Sequence, residues 1–250
     1  MANPVPTSSG VSLHPAAIYV GTSGWAYSTW KPDFYPPKVA QKKFLEHYAT
    51  RLNSVEVNYT FRQLPSAATL AGWLAATGPD FRFSFKAPQR ITHFQRLKDS
   101  AATMDQLVTA LAPVIGAGRM GVVLLQLPPN LKADAARLAE FLGHAAQSGV
   151  RLAFEFRHES WFAEEIFDIL RRHQAALCAA ESDTLETPDV VTAPFACYRL
   201  RKSNYAPDEL KSVAERLRAQ GAHGEVFAYF KHEEEPTGAL SGVKVRELMG

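Results

Sequence analysis

The 250 residues carry 27 Lys and Arg against 25 Asp and Glu, a formal net charge of +2, and 46% of them are hydrophobic. A balance so close to neutral excludes a global electrostatic attraction to nucleic acid or to an acidic membrane, so any preference for anions must be local. The length and apolar content supply one large core, and they suit a single α/β barrel better than two half-sized domains.

The chain opens on Ala2-Asn3-Pro4-Val5-Pro6-Thr7-Ser8-Ser9-Gly10, rich in turn formers, which predicts a flexible tail over residues 1–17. The stretch from Met1 to Pro15 has neither the basic start nor the apolar run of a signal peptide, and later apolar runs fall far short of a membrane span. A cytoplasmic protein with no membrane partner is expected. Cys178 and Cys197 lie in separate apolar runs without metal-ligand spacing and read as small core residues, not as a disulfide.

From Ile18 onward, short apolar runs alternate with longer amphipathic ones over residues 18–250, the pattern of strands joined by helices around a parallel sheet. Strands are expected at Ile18 to Ser23, Ser54 to Asn58, Phe81 to Lys86, Gly121 to Leu127, Leu152 to Arg157, Ala176 to Ala180, Phe195 to Leu200 and Val226 to Lys231. Helices are expected at Gln41 to Arg51, Ala67 to Ala76, Ser100 to Ala112, Ala133 to Gln147, Ala163 to His173, Asp208 to Gln220 and Val243 to Leu248. The proline-containing stretch from Thr184 to Pro194 reads as a loop or a very short helix. Gly21-Thr22-Ser23-Gly24-Trp25 lacks the spacing of a phosphate-binding glycine loop, which favours a closed (β/α)8 barrel of the TIM type over an open doubly wound sheet. No cofactor is expected.

Alternation along the strands separates two faces. Val55 and Val57 oppose Glu56 and Asn58; Phe81, Phe83 and Phe85 oppose Arg82, Ser84 and Lys86; Leu152, Phe154 and Phe156 oppose Glu155 and Arg157. Tyr198 and Leu200 oppose Arg199, and Phe230 opposes Lys231. In a barrel the apolar set packs against the helices, so the polar set enters the interior and its C-terminal members reach the mouth, where such barrels hold their active sites. Glu56, Asn58, Lys86, Glu155, Arg157, Arg199 and Lys231 are therefore expected around one cavity, with Gln126, Glu181 and Asp183 within reach of its rim. A purely structural ion network is the alternative explanation of the same charges.

The segment Trp25-Ala26-Tyr27-Ser28-Thr29-Trp30 follows the small residues after the first strand, and Trp25 and Tyr27 read either as a stacking wall for a ring or sugar or as a plug of the barrel top. His93 sits in the loop after the third strand and is a further proton-transfer candidate. The remaining histidines of the helices and the tail read as surface residues, and Ser23 lacks a nucleophile-elbow context.

Taken together, Gly21-Thr22-Ser23-Gly24-Trp25, Phe34-Tyr35-Pro36, Val55-Glu56-Val57-Asn58-Tyr59-Thr60-Phe61, Phe85-Lys86 with Ile91-Thr92-His93, Gln126-Leu127-Pro128-Pro129, Glu155-Phe156-Arg157-His158 with Ser160-Trp161-Phe162, and Tyr229-Phe230-Lys231-His232-Glu233 resemble the YecE-like family, also called the domain of unknown function 72. The resemblance runs from about Ile18 to the C-terminus. It implies a triosephosphate-isomerase-type barrel and brings His158 and Trp161 into the candidate binding set, without implying a reaction. Many relatives carry Asn-Asn-Asp where this chain has Lys231-His232-Glu233, so no role of those residues is carried over.

Three functional classes follow. In the first, an enzyme acts by acid/base chemistry on a small phosphorylated, carboxylated or sugar-like molecule, with Lys86, Arg157, Arg199 and Lys231 binding the anion and Glu56 and Glu155 as general base and acid. Asn58 and Gln126 would orient hydroxyls. In the second, a hydrolase or isomerase holds a divalent metal through Glu155, His158, Glu181, Asp183 and His232, although the cations nearby compete for those acids. In the third, a non-catalytic protein binds a nucleotide or RNA through aromatics and cations, with Lys98 and the run Arg199-Leu200-Arg201-Lys202 contributing charge of a kind that is usually solvated surface.

Overall fold

Each apolar run expected to be a strand forms one in the computed structural model, which describes residues 17–182, 184–231 and 235–250. The strands are β1 (Ile18–Thr22), β2 (Ser54–Val57), β3 (Arg82–Lys86), β4 (Met120–Gln126), β5 (Arg151–Glu155), β6 (Ala176–Ala180), β7 (Phe195–Leu200) and β8 (Glu225–Phe230). All pair in parallel in the order β1-β8-β7-β6-β5-β4-β3-β2, which is a nearly closed (β/α)8 barrel. The helices are α1 (Phe44–Ala49), α2 (Ala67–Ala75), α3 (Ala101–Gly116), α4 (Ala135–Ala145), α5 (Glu164–Arg172), α6 (Pro207–Gly221) and α7 (Thr237–Met249). No helix lies between β6 and β7 among the described residues, as the prolines there anticipate. The tail expected over residues 1–17 lies, apart from Ala17, outside the described residues. Among those residues no helix is long and apolar enough to cross a membrane.

Local chemistry marks the helix starts. The Ser66 hydroxyl accepts from the Thr69 backbone N–H at the head of α2, and Asp134 Oδ1 accepts from that of Arg137 at the head of α4. In α5, Glu164 and Glu165 occupy the first turn and Arg171 and Arg172 the last, matching the helix dipole. Two helices run longer than their patterns predict. Helix α3 continues past Pro113 to Gly116, because a proline so near the end removes one hydrogen bond while buried Val114 holds the last turn. Helix α7 begins at Thr237 instead of Val243, because Gly238 and Gly242 let it lie against the barrel. A Cβ on Gly238 would stand 2.0 Å from the Lys231 carbonyl oxygen, and one on Gly242 would stand 3.3 Å from side-chain atoms of Leu52 and Phe230.

The alternation holds around the barrel. Val55, Val57, Phe83, Phe85, Leu152, Phe154 and Tyr198 pack outward in the shell shared with the helices, while Tyr19, Val122, Leu124, Cys178, Cys197, Phe227 and Tyr229 form a separate inner core. The interior grades from apolar at its base to polar at its mouth. Tyr19 stacks on Phe227 at 5.0 Å near the base. One layer higher, the Tyr229 hydroxyl meets Ser54 Oγ at 2.8 Å and Ser84 Oγ at 2.6 Å. The β3–β4 register slips between Phe83 and Phe85, and Ser84 Oγ accepts from the Val122 N–H there at 2.8 Å.

Side chains close the last seam. Among the described residues no backbone ladder joins β1 to β2. Instead, the Asn53 amide behaves as a peptide of a missing strand: Oδ1 accepts from Val20 N at 2.8 Å and Nδ2 donates to Ile18 O at 2.9 Å. The Tyr48 hydroxyl continues the seam, accepting from Thr22 N at 2.8 Å and donating to Ser54 O at 2.9 Å. A Cβ on Gly21 would stand 1.9 Å from the Ser54 carbonyl oxygen, so glycine permits this close approach. Asn53→Ala, which removes both bonds to β1, is expected to lower the unfolding free energy by about 2 kcal/mol. Urea unfolding of the two proteins checks this, and equal midpoints would show that the seam holds without the amide.

Candidate functional site

Strand register determines which side chains meet at the mouth. Parallel pairing sets Gln126 beside Glu155 and the small Ala180 beside Arg199, and inward-facing Glu56 lies across the barrel on β2. Arg199, only 4% exposed, donates through Nη1 to Glu155 Oε2 at 2.5 Å and through Nη2 to Glu56 Oε1 at 2.8 Å. Glu155 Oε1 accepts from Gln126 Nε2 at 2.8 Å and from Arg157 Nε at 2.9 Å. One guanidinium and two carboxylates thus join β2, β5 and β7 in the barrel interior.

Above this network the mouth opens into two adjoining lobes. One, of about 590 Å³, is lined by the cations Arg62, Lys86, Arg157, Arg199 and Arg201 and by Tyr59 and Phe61, and no described acid lines it. The other, of about 420 Å³, shares Arg157 and Arg201 and adds Glu155, Glu181, Lys202 and Lys231. Glu181 shapes the wall between β7 and α6: its Oε2 accepts from Arg201 N at 2.7 Å, from Lys202 N at 3.2 Å and from the Tyr205 hydroxyl. Lys86 Nζ stands 4.2 Å from the centre of the Phe61 ring, and the Lys86 carbonyl oxygen accepts from Thr60 Oγ1 at 2.6 Å.

The electrostatics follow from burial and neighbours. Burial alone would raise the Glu155 carboxyl, but the charges and hydrogen bonds of Arg199 and Arg157 outweigh it and hold the group at about 2. Burial is also the largest influence on Lys86; with the Arg199 charge it brings the ammonium down to about 8, against the partial compensation of Glu56 and Glu155. His93 is lowered by burial and then by Lys86, Arg157 and Arg96. Arg199 is raised, because Glu56 and Glu155 overcome the penalty of its burial. Among the described residues, two buried acceptors in this region lack a partner, Glu56 Oε2 and Asn58 Oδ1; the Asn58 amide nitrogen donates to Ser23 O at 3.1 Å.

The structure therefore brings together Glu56, Asn58, Lys86, Gln126, Glu155, Arg157 and Arg199, with Lys231 on the second lobe. His93 stands behind them, its ring edge-on to Phe61 at 5.0 Å and its Nδ1 2.9 Å from Thr92 Oγ1. Four expected binding residues lie elsewhere. Trp161 is buried, stacked on Phe156 at 4.6 Å, and donates its indole N–H to Leu131 O. His158 caps the short turn Glu159–Trp161, its Nδ1 accepting from Ser160 N. Trp25 packs edge-on against Trp73 at 5.2 Å, and Tyr27 lies tilted against Trp30 at 4.9 Å.

Of the acids and histidines expected around a metal, Asp183 and His232 lie outside the described residues, and among the described residues no three His, Cys, Asp or Glu side chains are grouped as ligands. Arg62 and Arg201 also line the mouth, Arg62 unmarked by any sequence signal and Arg201 expected only as part of a basic run. Arg201 follows Arg199 by two positions, so the alternation that found one also marks the other. Arg62 follows the 3₁₀ turn Tyr59–Phe61, where no strand periodicity points to it.

The sequence profile of the family described as "Protein of unknown function DUF72" matches residues 19–250. UPF0759 protein YunF of Bacillus subtilis is 31% identical over 156 residues, which make up 60% of this chain and 54% of YunF. UPF0759 protein YecE of Escherichia coli is 30% identical over 148 residues, 59% of this chain and 51% of YecE. The matched stretch thus spans about half the length of these curated relatives. Among solved structures, a DUF72 family protein of Thermotoga maritima has a TM-score of 0.82 at 26% identity, covering 93% of this chain and 99% of that one. Another, from Enterococcus faecalis, has a TM-score of 0.78 at 17% identity, covering 93% and 95%, and shows the shared fold alone.

The low Glu155 value makes a prediction about acid stability. A carboxyl held at about 2 in the folded protein against an ordinary 4.5 contributes about 3 kcal/mol, fully present above the ordinary value and lost as pH falls toward the folded one. Glu155→Gln is expected to be less stable at pH 7 by about 3 kcal/mol, and its unfolding free energy should fall less steeply between about pH 5 and pH 2. Urea titrations across that range check it; parallel slopes would show that Glu155 does not carry the acid sensitivity.

Proposed function

The chain belongs to the DUF72 family, and from the geometry of its barrel mouth we propose that it is an enzyme acting on a small anionic molecule, phosphorylated or carboxylated, at the C-terminal end of the strands. The observation that carries this reading is the first lobe, where five cationic side chains converge and no described acid lines the wall. Glu56 and Glu155 offset Arg199 and Arg157 from beneath, but among the described residues Arg62, Lys86 and Arg201 have no carboxylate partner, and collecting that charge at one half-enclosed site is costly unless an anion offsets it.

In this reading Arg62, Arg157 and Arg201 clamp the anion through forked hydrogen bonds. Arg199 is committed to its two carboxylates and sets the floor. Glu155, ionised and holding three donor side chains, orients Arg157, Arg199 and Gln126 and has no proton to give near neutral pH, so the acid/base pair of the sequence analysis is revised. The proton-transfer roles pass to Glu56, whose second oxygen is unpartnered, and to Lys86, with His93 in reserve behind Phe61. Asn58 Oδ1 is available to orient a hydroxyl, and Lys231 faces the part of the substrate that extends into the second lobe. Trp25, Tyr27, His158 and Trp161 support the scaffold.

A ligand that binds only the folded state raises its melting temperature. Inorganic phosphate, phosphoglycolate and a single-stranded oligonucleotide are the probes. At about a hundred times its dissociation constant, a small anion should raise the melting temperature by roughly 5–10 °C, and Arg157→Ala and Arg201→Ala should largely abolish the shift. Stabilisation by the oligonucleotide alone, weakening steeply with salt, would favour a nucleic-acid-binding protein in place of the small-molecule enzyme.

A further inference from the structure

Lys86 differs from the ion-paired lysines of the chain. Lys43, Lys202, Lys211 and Lys244 each face a carboxylate within 3.2 Å, whereas among the described residues Lys86 has neither an ion pair nor a side-chain hydrogen bond. The two acids closest to serving it are taken: Arg199 and Arg157 hold Glu155, and Arg199 holds one oxygen of Glu56. Its amine is seated over the Phe61 ring, which also meets His93 edge-on, and its backbone is pinned by Thr60 and by the bond from Ala87 N to Leu124 O at 2.8 Å. The amine therefore projects from a rigid strand end into the cation-lined lobe, which is how a barrel presents a nucleophile to a substrate held by neighbouring cations.

We infer that Lys86 captures a carbonyl: its Nζ forms an imine with an aldehyde, ketone or keto acid whose phosphate or carboxylate is clamped by Arg62, Arg157 and Arg201. This rests on the anionic-substrate reading above and narrows it to carbonyl compounds. The step balances without a co-reactant. Nitrogen adds to the carbonyl carbon, the carbonyl oxygen takes up two protons from the nitrogen and departs as water, and the ammonium becomes an iminium with its positive charge retained. Nothing is oxidised or reduced. The Phe61 face attracts the ammonium and the iminium alike, so the ring positions the amine without opposing the reaction. Burial and the Arg199 charge, which bring Lys86 down to about 8, raise the share of free amine near neutral pH well above that of an exposed lysine.

The test treats the full-length protein at pH 7 with dihydroxyacetone phosphate, and separately with glyoxylate, in the presence of cyanoborohydride, which reduces any iminium to a stable secondary amine. Peptide mass spectrometry then measures the rate at each lysine. Lys86 is expected to react roughly tenfold or more faster than exposed Lys43 and Lys244, and excess inorganic phosphate should slow Lys86 alone. Lys86→Arg should lose this labelling while keeping the thermal stabilisation by phosphate. If phosphate stabilises the wild type but Lys86 reacts no faster than Lys43, the imine is overturned and the anion site stands. If phosphate neither stabilises the protein nor slows labelling of Lys86, the clamped anion falls, and with it both readings.

Discussion

The Arg199 guanidinium, shared between Glu56 and Glu155 inside the barrel, is the interaction on which the mouth depends. A charge buried this deeply is stable only with close, well-aligned partners, and each partner comes from a different strand. β2, β5 and β7 must therefore hold their register for the network to exist. Buried ion networks contribute little net stability compared with apolar packing, so retaining one here fits a task of positioning: the two carboxylates fix Arg199, and Glu155 in turn fixes Arg157 and Gln126 at the rim.

The rest of the interior supports that placement. Apolar and aromatic side chains fill the base, a hydroxyl layer of Ser54, Ser84 and Tyr229 lies between, and the ions lie uppermost. Toward the mouth, polar groups are thus met by progressively more polar neighbours, while at the base Arg82 and Arg151 lie over the Tyr19 and Phe227 rings. The same logic applies at the seam, where Asn53 and Tyr48 stand in for a missing ladder so that backbone groups of β1 do not go unpaired. Closing the barrel there brings Asn58, just after β2, and Ser23, just after β1, into contact beside the lobe.

Much of this was legible in the order of residues. Alternation assigned Val55 and Val57 outward and Glu56 inward, and it did the same for Phe154 and Glu155 and for Tyr198 and Arg199, because a strand can send successive side chains only to opposite faces. Arg201 carries the same signal two positions on, but its run with Lys202 has the pattern of solvated charge. The first turns of helix α7 are hidden from the sequence pattern because glycine weakens a helical signal, whereas Gly238 and Gly242 are there to admit the barrel wall. Trp161 and His158 stood in conspicuous motifs, yet their partners are Phe156, Leu131 and Ser160, close by in the fold.

By itself the sequence determined the eight strands, the face each side chain takes and hence the set of charges that enter the barrel, because periodicity is a local property of the backbone. Only the tertiary structure decided how those charges pair. That Arg199 takes both carboxylates, that Glu155 is thereby kept ionised, and that Lys86 is left over an aromatic ring depend on distances between strands up to 143 residues apart in the chain. Shear and closure set those distances, and no short-range pattern encodes them.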